Sequence, residues 1–132
     1  MKKTKILQTA SNIVAAALMV FFAIPKLLGA EKSVQGFEQF KSLVPLDPNV
    51  FRVFTGIVEL FIAILILLFI IKKNINLGKI AYFLLLATMI GGLIMEFFAR
   101  PKPAMMLVII ALLLSILSIF KLKTLSTKQQ SN

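Results

Sequence analysis

Residues 50–71 read VFRVFTGIVELFIAILILLFII, and this stretch decides the fold class of the chain. Its charged residues are Arg52 and Glu59, and twelve apolar residues follow Glu59 without a break. A helix that crosses about 30 Å of hydrocarbon needs about 20 residues. The stretch does not alternate between polar and apolar residues, as a membrane-spanning β-strand would. It therefore predicts a transmembrane helix, because lipid offers the backbone no hydrogen-bond partners.

Three further apolar runs of spanning length cover residues 6–28, 77–98 and 104–120. The connections at 72–76 and 100–103 are short and carry charges, asparagine or proline. Short polar connections of this kind are typical of tight turns between antiparallel neighbours. We therefore predict one all-α membrane domain over residues 1–132, an antiparallel bundle of four helices with both chain ends on the same side.

The long connection at residues 29–49 is predicted to contain a short amphipathic helix near Glu31–Leu43. Val34, Phe37, Phe40 and Val44 recur at three- and four-residue steps, and charged residues fall between them. Such a helix lies on the membrane surface or caps the bundle. Pro45 and Pro48 are expected to end it before the second span. It is either a crossover that only packs or a lid over a ligand site.

The charge distribution predicts the orientation of the chain. Lysines without any acid gather at one side of the bundle: Lys2, Lys3, Lys5, Lys72, Lys73, Lys79, Lys121, Lys123 and Lys128. All five acids lie toward the other side: Glu31, Glu38, Asp47, Glu59 and Glu96. The positive-inside rule therefore places both termini in the cytoplasm.

The first thirty residues also resemble a secretory signal, with basic residues, an apolar run and then Gly29-Ala30. Leu28 stands where cleavage requires a small residue, and Pro25 and Lys26 interrupt the approach. We therefore expect the first run to remain as a membrane span.

Composition excludes several classes of site. The chain is 59% hydrophobic with a formal charge of +10, and it contains no cysteine and no histidine. Disulfides and thiolate metal sites are excluded, and the commonest haem ligand and acid–base group are missing. The basic residues flank apolar runs, so we expect membrane topology rather than nucleic-acid binding to explain them. No metal site and no catalytic constellation is predicted, which leaves enzymatic activity open.

Each span carries a stripe of small and polar residues at helical spacing, and membrane helices associate through such stripes. We call these residues the seam: Asn12, Ala16, Met19, Ala23 and Lys26 in the first span; Arg52, Gly56, Glu59 and Ala63 in the second; Ala81, Leu85, Thr88, Gly92 and Glu96 in the third; Ala104, Val108, Ala111, Ser115 and Ser118 in the fourth.

Glu59 is predicted to face the bundle interior, because an ionised acid at that depth costs on the order of 2.5–3.5 kcal/mol on insertion scales. Lys26 lies toward the same end of the bundle and is its expected partner. Arg52, Glu96 and Arg100 are expected to gather near the same surface. The group is either a structural ion pair with its neighbours or a polar pocket that opens outward.

The motifs Phe22-Ala-Ile-Pro-Lys26-Leu-Leu-Gly29, Gly36-Phe37-Glu38-Gln39-Phe40 and Gly56-Ile-Val-Glu59-Leu60 together resemble the DoxX and DoxX-like membrane proteins. The resemblance covers nearly the whole chain, and it carries over to Lys26, Gly29, Gly56 and Glu59. It implies a small four-helix protein of a bacterial cytoplasmic membrane. Its namesake resembles a membrane subunit of a thiosulfate–quinone oxidoreductase, and relatives accompany thiol-stress systems.

Three function classes follow. The first is an accessory or scaffold subunit of a membrane complex, with a homo-oligomer or an oxidoreductase as possible partner. The second is a subunit that assists a quinone-linked oxidoreductase, with quinone contact through Lys26 and Glu59 by analogy and no cofactor ligated by the chain itself. The third is a small proton-coupled transporter, although four-helix exporters carry their essential acid in the first span and this chain has none there.

Overall fold

A computed structural model describes residues 2–41, 44–99 and 105–131 of the chain. It consists of five α-helices: α1 Lys2–Leu28, α2 Glu31–Phe40, α3 Pro48–Lys72, α4 Ile75–Phe98 and α5 Met105–Ser131. The four long helices are long and apolar enough to cross a membrane. The predicted all-α class, with a short helix between the first two spans, is confirmed.

Local signals explain the boundaries of α3 and α4. The Asp47 side chain accepts from the Asn49 backbone N–H at 2.9 Å, and Pro48 occupies the first position of α3, where its missing N–H costs nothing. At the other end Lys73 has φ 56° and stops the helix. Asn74 then caps α4 by accepting from the Asn76 N–H at 2.9 Å. This two-residue turn makes α3 and α4 antiparallel.

The short helix α2 ends earlier than expected. Its last residue is Phe40, ahead of both prolines, and Pro48 starts α3 instead of ending α2. Leu43, the expected last residue, lies outside the described residues. The difference has a simple reason, since proline is tolerated in the first turn of a helix and often begins one.

The helices follow one another around the bundle in the order α1, α3, α4 and α5. α1 packs mainly on α3, α4 packs on both α3 and α5, and α2 lies on α3. The contact between α1 and α5 is much smaller, and it includes a hydrogen bond of 3.2 Å from Lys121 Nζ to the Gln8 carbonyl oxygen. We call the end that carries α2 the outer end, and the end with the Lys73–Asn74 turn the inner end.

The core is apolar and runs along the seam. Its fully buried side chains include Met19, Ile62, Ile66, Leu85 and Tyr82. Large apolar side chains on the opposite faces are exposed around the whole bundle, as a lipid-facing surface requires. The seam therefore packs inward and the bundle presents leucine, isoleucine and phenylalanine to lipid.

Candidate functional site

The site at the outer end begins where α1 ends. Gly29 has φ +74°, a left-handed conformation that ends a helix, and the Ala30 N–H reaches back to the Pro25 carbonyl at 2.9 Å. The Arg52 guanidinium of α3 donates to the main-chain oxygen of Lys26 and lies against Gly29. A cation at the negative end of a helix dipole is favourable. Arg52 therefore caps α1 and holds it against α3.

Gly56 lets α1 and α3 approach closely one turn further along. A Cβ on Gly56 would lie 3.0 Å from atoms of Leu27 and 3.1 Å from the Cβ of Lys26. This close approach brings the Lys26 ammonium to 2.8 Å from Glu59 Oε1, and only 3% of Glu59 is exposed. The predicted approach of Lys26 to Glu59 is confirmed.

The Lys26 ammonium makes two further contacts within α1. It donates to the Phe22 carbonyl oxygen at 3.3 Å, and it lies 5.5 Å from the centre of the Phe22 ring. A lysine ammonium has three N–H donors. One donor thus goes to Phe22, whereas the contact with Glu59 is an ion pair in which Oε1 accepts no hydrogen bond from the described residues, so the ammonium has an N–H left for a further acceptor.

A cavity of about 680 Å³ opens beside this ion pair. All five helices contribute to its wall. Six phenylalanines line it: Phe21, Phe22, Phe37, Phe40, Phe51 and Phe54. The charged side chains in the described part of the wall are two bases and two acids, namely Lys26, Lys32, Glu59 and Glu96. The cavity is therefore aromatic, with balanced charges.

Helix α2 forms the roof of the cavity. Phe37 and Phe40 are buried and pack edge to face with their ring centres 5.0 Å apart, and Phe51 of α3 lies 5.2 Å from Phe37. Met95 and Ala99 of α4 complete this cluster. Phe37 and Phe40, which belong to the predicted apolar face of α2, thus pack against the bundle.

The structure brings together three of the five predicted site residues. Lys26, Glu59 and Glu96 line the cavity. Arg52 is buried but lies outside the lining, because its guanidinium turns to the end of α1. Arg100 falls outside the described residues. Among the described residues, no group of three or more carboxylates could hold a metal ion.

Several lining residues were not expected from the sequence. Thr55 and Gly91, together with the face of α2 that carries Ser33 and Gln39, also line the cavity. The signal for Gly91 was present, since two adjacent glycines in the middle of a membrane span are costly and need a reason. No comparable feature of the sequence marked Thr55 or this face of α2 as part of a cavity wall.

Comparison with known families matches residues 10–118 to the DoxX-like family. The chain belongs to the DoxX-like family. The match spans all four long helices and includes Lys26, Gly29, Gly56 and Glu59. No curated protein and no solved structure matches the chain. The sequence-based identification is thereby confirmed, and the chain is a multi-pass membrane protein of DoxX-like type.

Proposed function

We propose that this DoxX-like protein is an accessory subunit of a membrane complex, and that it holds an uncharged, ring-bearing carbonyl compound of the lipid phase in the cavity under α2. The observation that carries the proposal is the cavity itself, with six phenylalanines around the Lys26–Glu59 pair. Pockets for small molecules are mostly apolar and aromatic, with few polar groups that orient the ligand. A quinone fits this description.

Charge balance supports an uncharged ligand. The charges of Lys26 and Lys32 offset those of Glu59 and Glu96 in the described wall. A cationic ligand would have to displace Lys26 from Glu59, and breaking a buried pair costs about 3–5 kcal/mol. A carbonyl oxygen can instead accept the remaining N–H of Lys26 and leave the pair intact. The phenylalanine rings would enclose the ligand ring and exclude water.

Redox chemistry on such a ligand requires a partner protein. The chain contains neither cysteine nor histidine, and its only tyrosine is Tyr82. Tyr82 is fully buried near the inner end and is not part of the cavity wall. The role we propose is therefore to bind and orient the ligand for an oxidoreductase that docks on the bundle.

We further propose that the protein lies in a bacterial cytoplasmic membrane with both termini in the cytoplasm. The lysines at the inner end support this orientation, and the cavity would then face the outer leaflet. Reporter fusions after Asn132 and within residues 100–103 should report opposite sides of the membrane. Equal signals from the two fusions would contradict the proposed topology.

Binding can be tested by fluorescence, because the chain has no tryptophan. Phe22→Trp places a single reporter in the cavity wall beside Lys26. Titration of the purified protein with a tail-less benzoquinone should quench this fluorescence in a saturable way. Phe120→Trp is the matched control, since Phe120 is 61% exposed on α5 and lies outside the cavity wall. It should show only the linear quenching that partition into the micelle produces.

The double variant Lys26→Met/Glu59→Leu in the reporter background tests the site itself. It should fold, because both charges are removed together, and lose saturable quenching. Linear quenching of both the Phe22→Trp and the Phe120→Trp proteins, with Lys26 and Glu59 left in place, would refute the ligand-binding proposal. The subunit proposal has its own test: purification in mild detergent should recover an oxidoreductase in stoichiometric amount, whereas an isolated homo-oligomer would contradict it.

A further inference from the structure

Gly91 and Gly92 lie in the interior of α4, where glycine is less favourable than alanine. Close helix packing explains Gly56 and Gly78 but not these two. A Cβ on Gly78 would lie 2.7 Å from the Phe69 ring, whereas a Cβ on Gly91 or Gly92 would meet nothing within 4 Å. Gly91 and Gly92 therefore border a space that the protein itself does not fill.

That space belongs to the cavity and reaches the surface of the bundle. Gly91 and Gly92 both line the cavity, and so does Phe54 of the neighbouring helix α3. Gly92 is exposed and Phe54 is 62% exposed, so the cavity wall is continuous with the lipid-facing surface. Lys26 and Glu59 line the same cavity, so these polar side chains share one space with the opening to the bilayer.

We propose that Gly91 and Gly92 form the passage through which an aliphatic tail of the ligand leaves the cavity and remains in the bilayer. The inference rests on the proposed function and specifies its ligand as a tailed amphiphile with its ring at Lys26. An extended tail needs a strip of wall without side chains, and two adjacent glycines supply one.

The test compares two probes in the Phe22→Trp background: a benzoquinone with a decyl tail and the same ring without the tail. Gly91→Leu and Gly92→Leu should each weaken binding of the tailed probe about tenfold, because the new side chain occupies the passage and the tail can enter only by overpacking it. The tail-less probe should bind with unchanged affinity, because in this proposal its ring contacts Lys26 and not the glycines. Gly92→Ala, a smaller change, should have a smaller effect of the same kind.

Ala87→Leu is the matched control, since Ala87 is exposed on the same helix and lies outside the cavity wall. It should leave the binding of both probes unchanged, and thermal unfolding should show that all variants are folded. Equal losses for both probes would overturn the passage, because the glycines would then belong to the ring site. Unchanged affinity for both would overturn it as well. Absence of saturable binding in the unmodified reporter protein is a different result, and it would refute the proposed function.

Discussion

The inner and outer halves of the bundle are built from the same four helices, and they differ in the space that remains between those helices. At the inner end α3 and α4 touch where Gly78 meets the Phe69 ring. The Tyr82 hydroxyl donates to Asn12 Oδ1 there, with both side chains buried. At the outer end α2 covers the bundle, and a cavity of about 680 Å³ remains below it.

The polar groups of the two halves also differ in their surroundings. In the inner half Ser118 donates to a carbonyl one turn earlier in α5, and Tyr82 donates to Asn12, so these hydroxyls are satisfied within the protein. In the outer half the Lys26–Glu59 pair borders a cavity. The polar groups of the inner half thus only join helices, whereas the Lys26–Glu59 pair joins α1 to α3 and also borders the space where we propose that a ligand binds. Each prediction below tests this division.

The largest expected effect concerns the ion pair. Lys26→Met and Glu59→Leu should each lower the free energy of unfolding in detergent by about 3–5 kcal/mol, because each leaves a charge without its partner away from water. The double variant should recover most of the loss, measured by denaturant titration. Lys41→Met, at an exposed lysine, should change the stability by no more than about 0.5 kcal/mol.

Two outcomes of this cycle would contradict the proposed role of the outer half. Additive losses in the double variant would show that the two side chains do not interact and would remove the outer half's central contact. A stable double variant that still binds the quinone probe would show that the pair is structural and that the phenylalanines alone hold the ring.

The second effect concerns close packing at the inner end. Gly78→Ala should destabilise the bundle by about 1–3 kcal/mol, because the new methyl group forces the Phe69 ring to move. The measurement is the same denaturant titration. Combining Gly78→Ala with Phe69→Leu, which shortens the opposing side chain, should relieve part of the overpacking. A neutral Gly78→Ala would contradict the claim that the inner half is tightly packed.

The third effect is that of Tyr82→Phe. It removes the donor to Asn12 Oδ1 and should cost about 1 kcal/mol, since hydrogen bonds between membrane helices average about 0.6 kcal/mol and a buried acceptor is left unpaired. A double-mutant cycle with Asn12→Leu should show coupling of the same size. Quinone-probe binding should stay unchanged in both variants, and a loss of binding would contradict the separation of the two halves.

The smallest expected effect is an increase in stability. Gly91→Ala should stabilise the bundle by about 0.5–1 kcal/mol, because alanine is the better helix former and its Cβ meets no atom within 4 Å. Comparison of its unfolding midpoint with that of Gly78→Ala measures the difference between the two halves directly. Destabilisation by Gly91→Ala would mean that the space beside Gly91 is smaller than it is in the structure.

Much of the interior could be predicted from the sequence through the seam. Its described members are buried with few exceptions, and Ala104 falls outside the described residues. The exceptions are half-buried or exposed, and all of them line the cavity: Lys26, Thr88, Gly92 and Ala111. Helical spacing thus predicted which side chains point inward. It did not predict that some of them would point into open space.

Arg52 shows why the site itself was harder to predict. Its position near the outer end suggested a place in the polar pocket with Lys26 and Glu59. In the structure it instead caps α1 by donating to the main-chain oxygen of Lys26. That contact depends on where another helix ends relative to α3, and no pattern within residues 50–71 contains this information.

The sequence by itself determined the four spans, the amphipathic helix α2, the family and the inward faces. These properties depend on local length, apolarity and spacing, because lipid requires every spanning segment to satisfy its own backbone. Only the tertiary structure decided which glycines pack and which stay open, and where the cavity lies. A cavity is the volume left between helices, and it depends on how neighbouring helices approach each other along their whole length. Gly78 and Gly91 are the same residue type on one helix, and only the presence of the Phe69 ring beside Gly78 tells them apart.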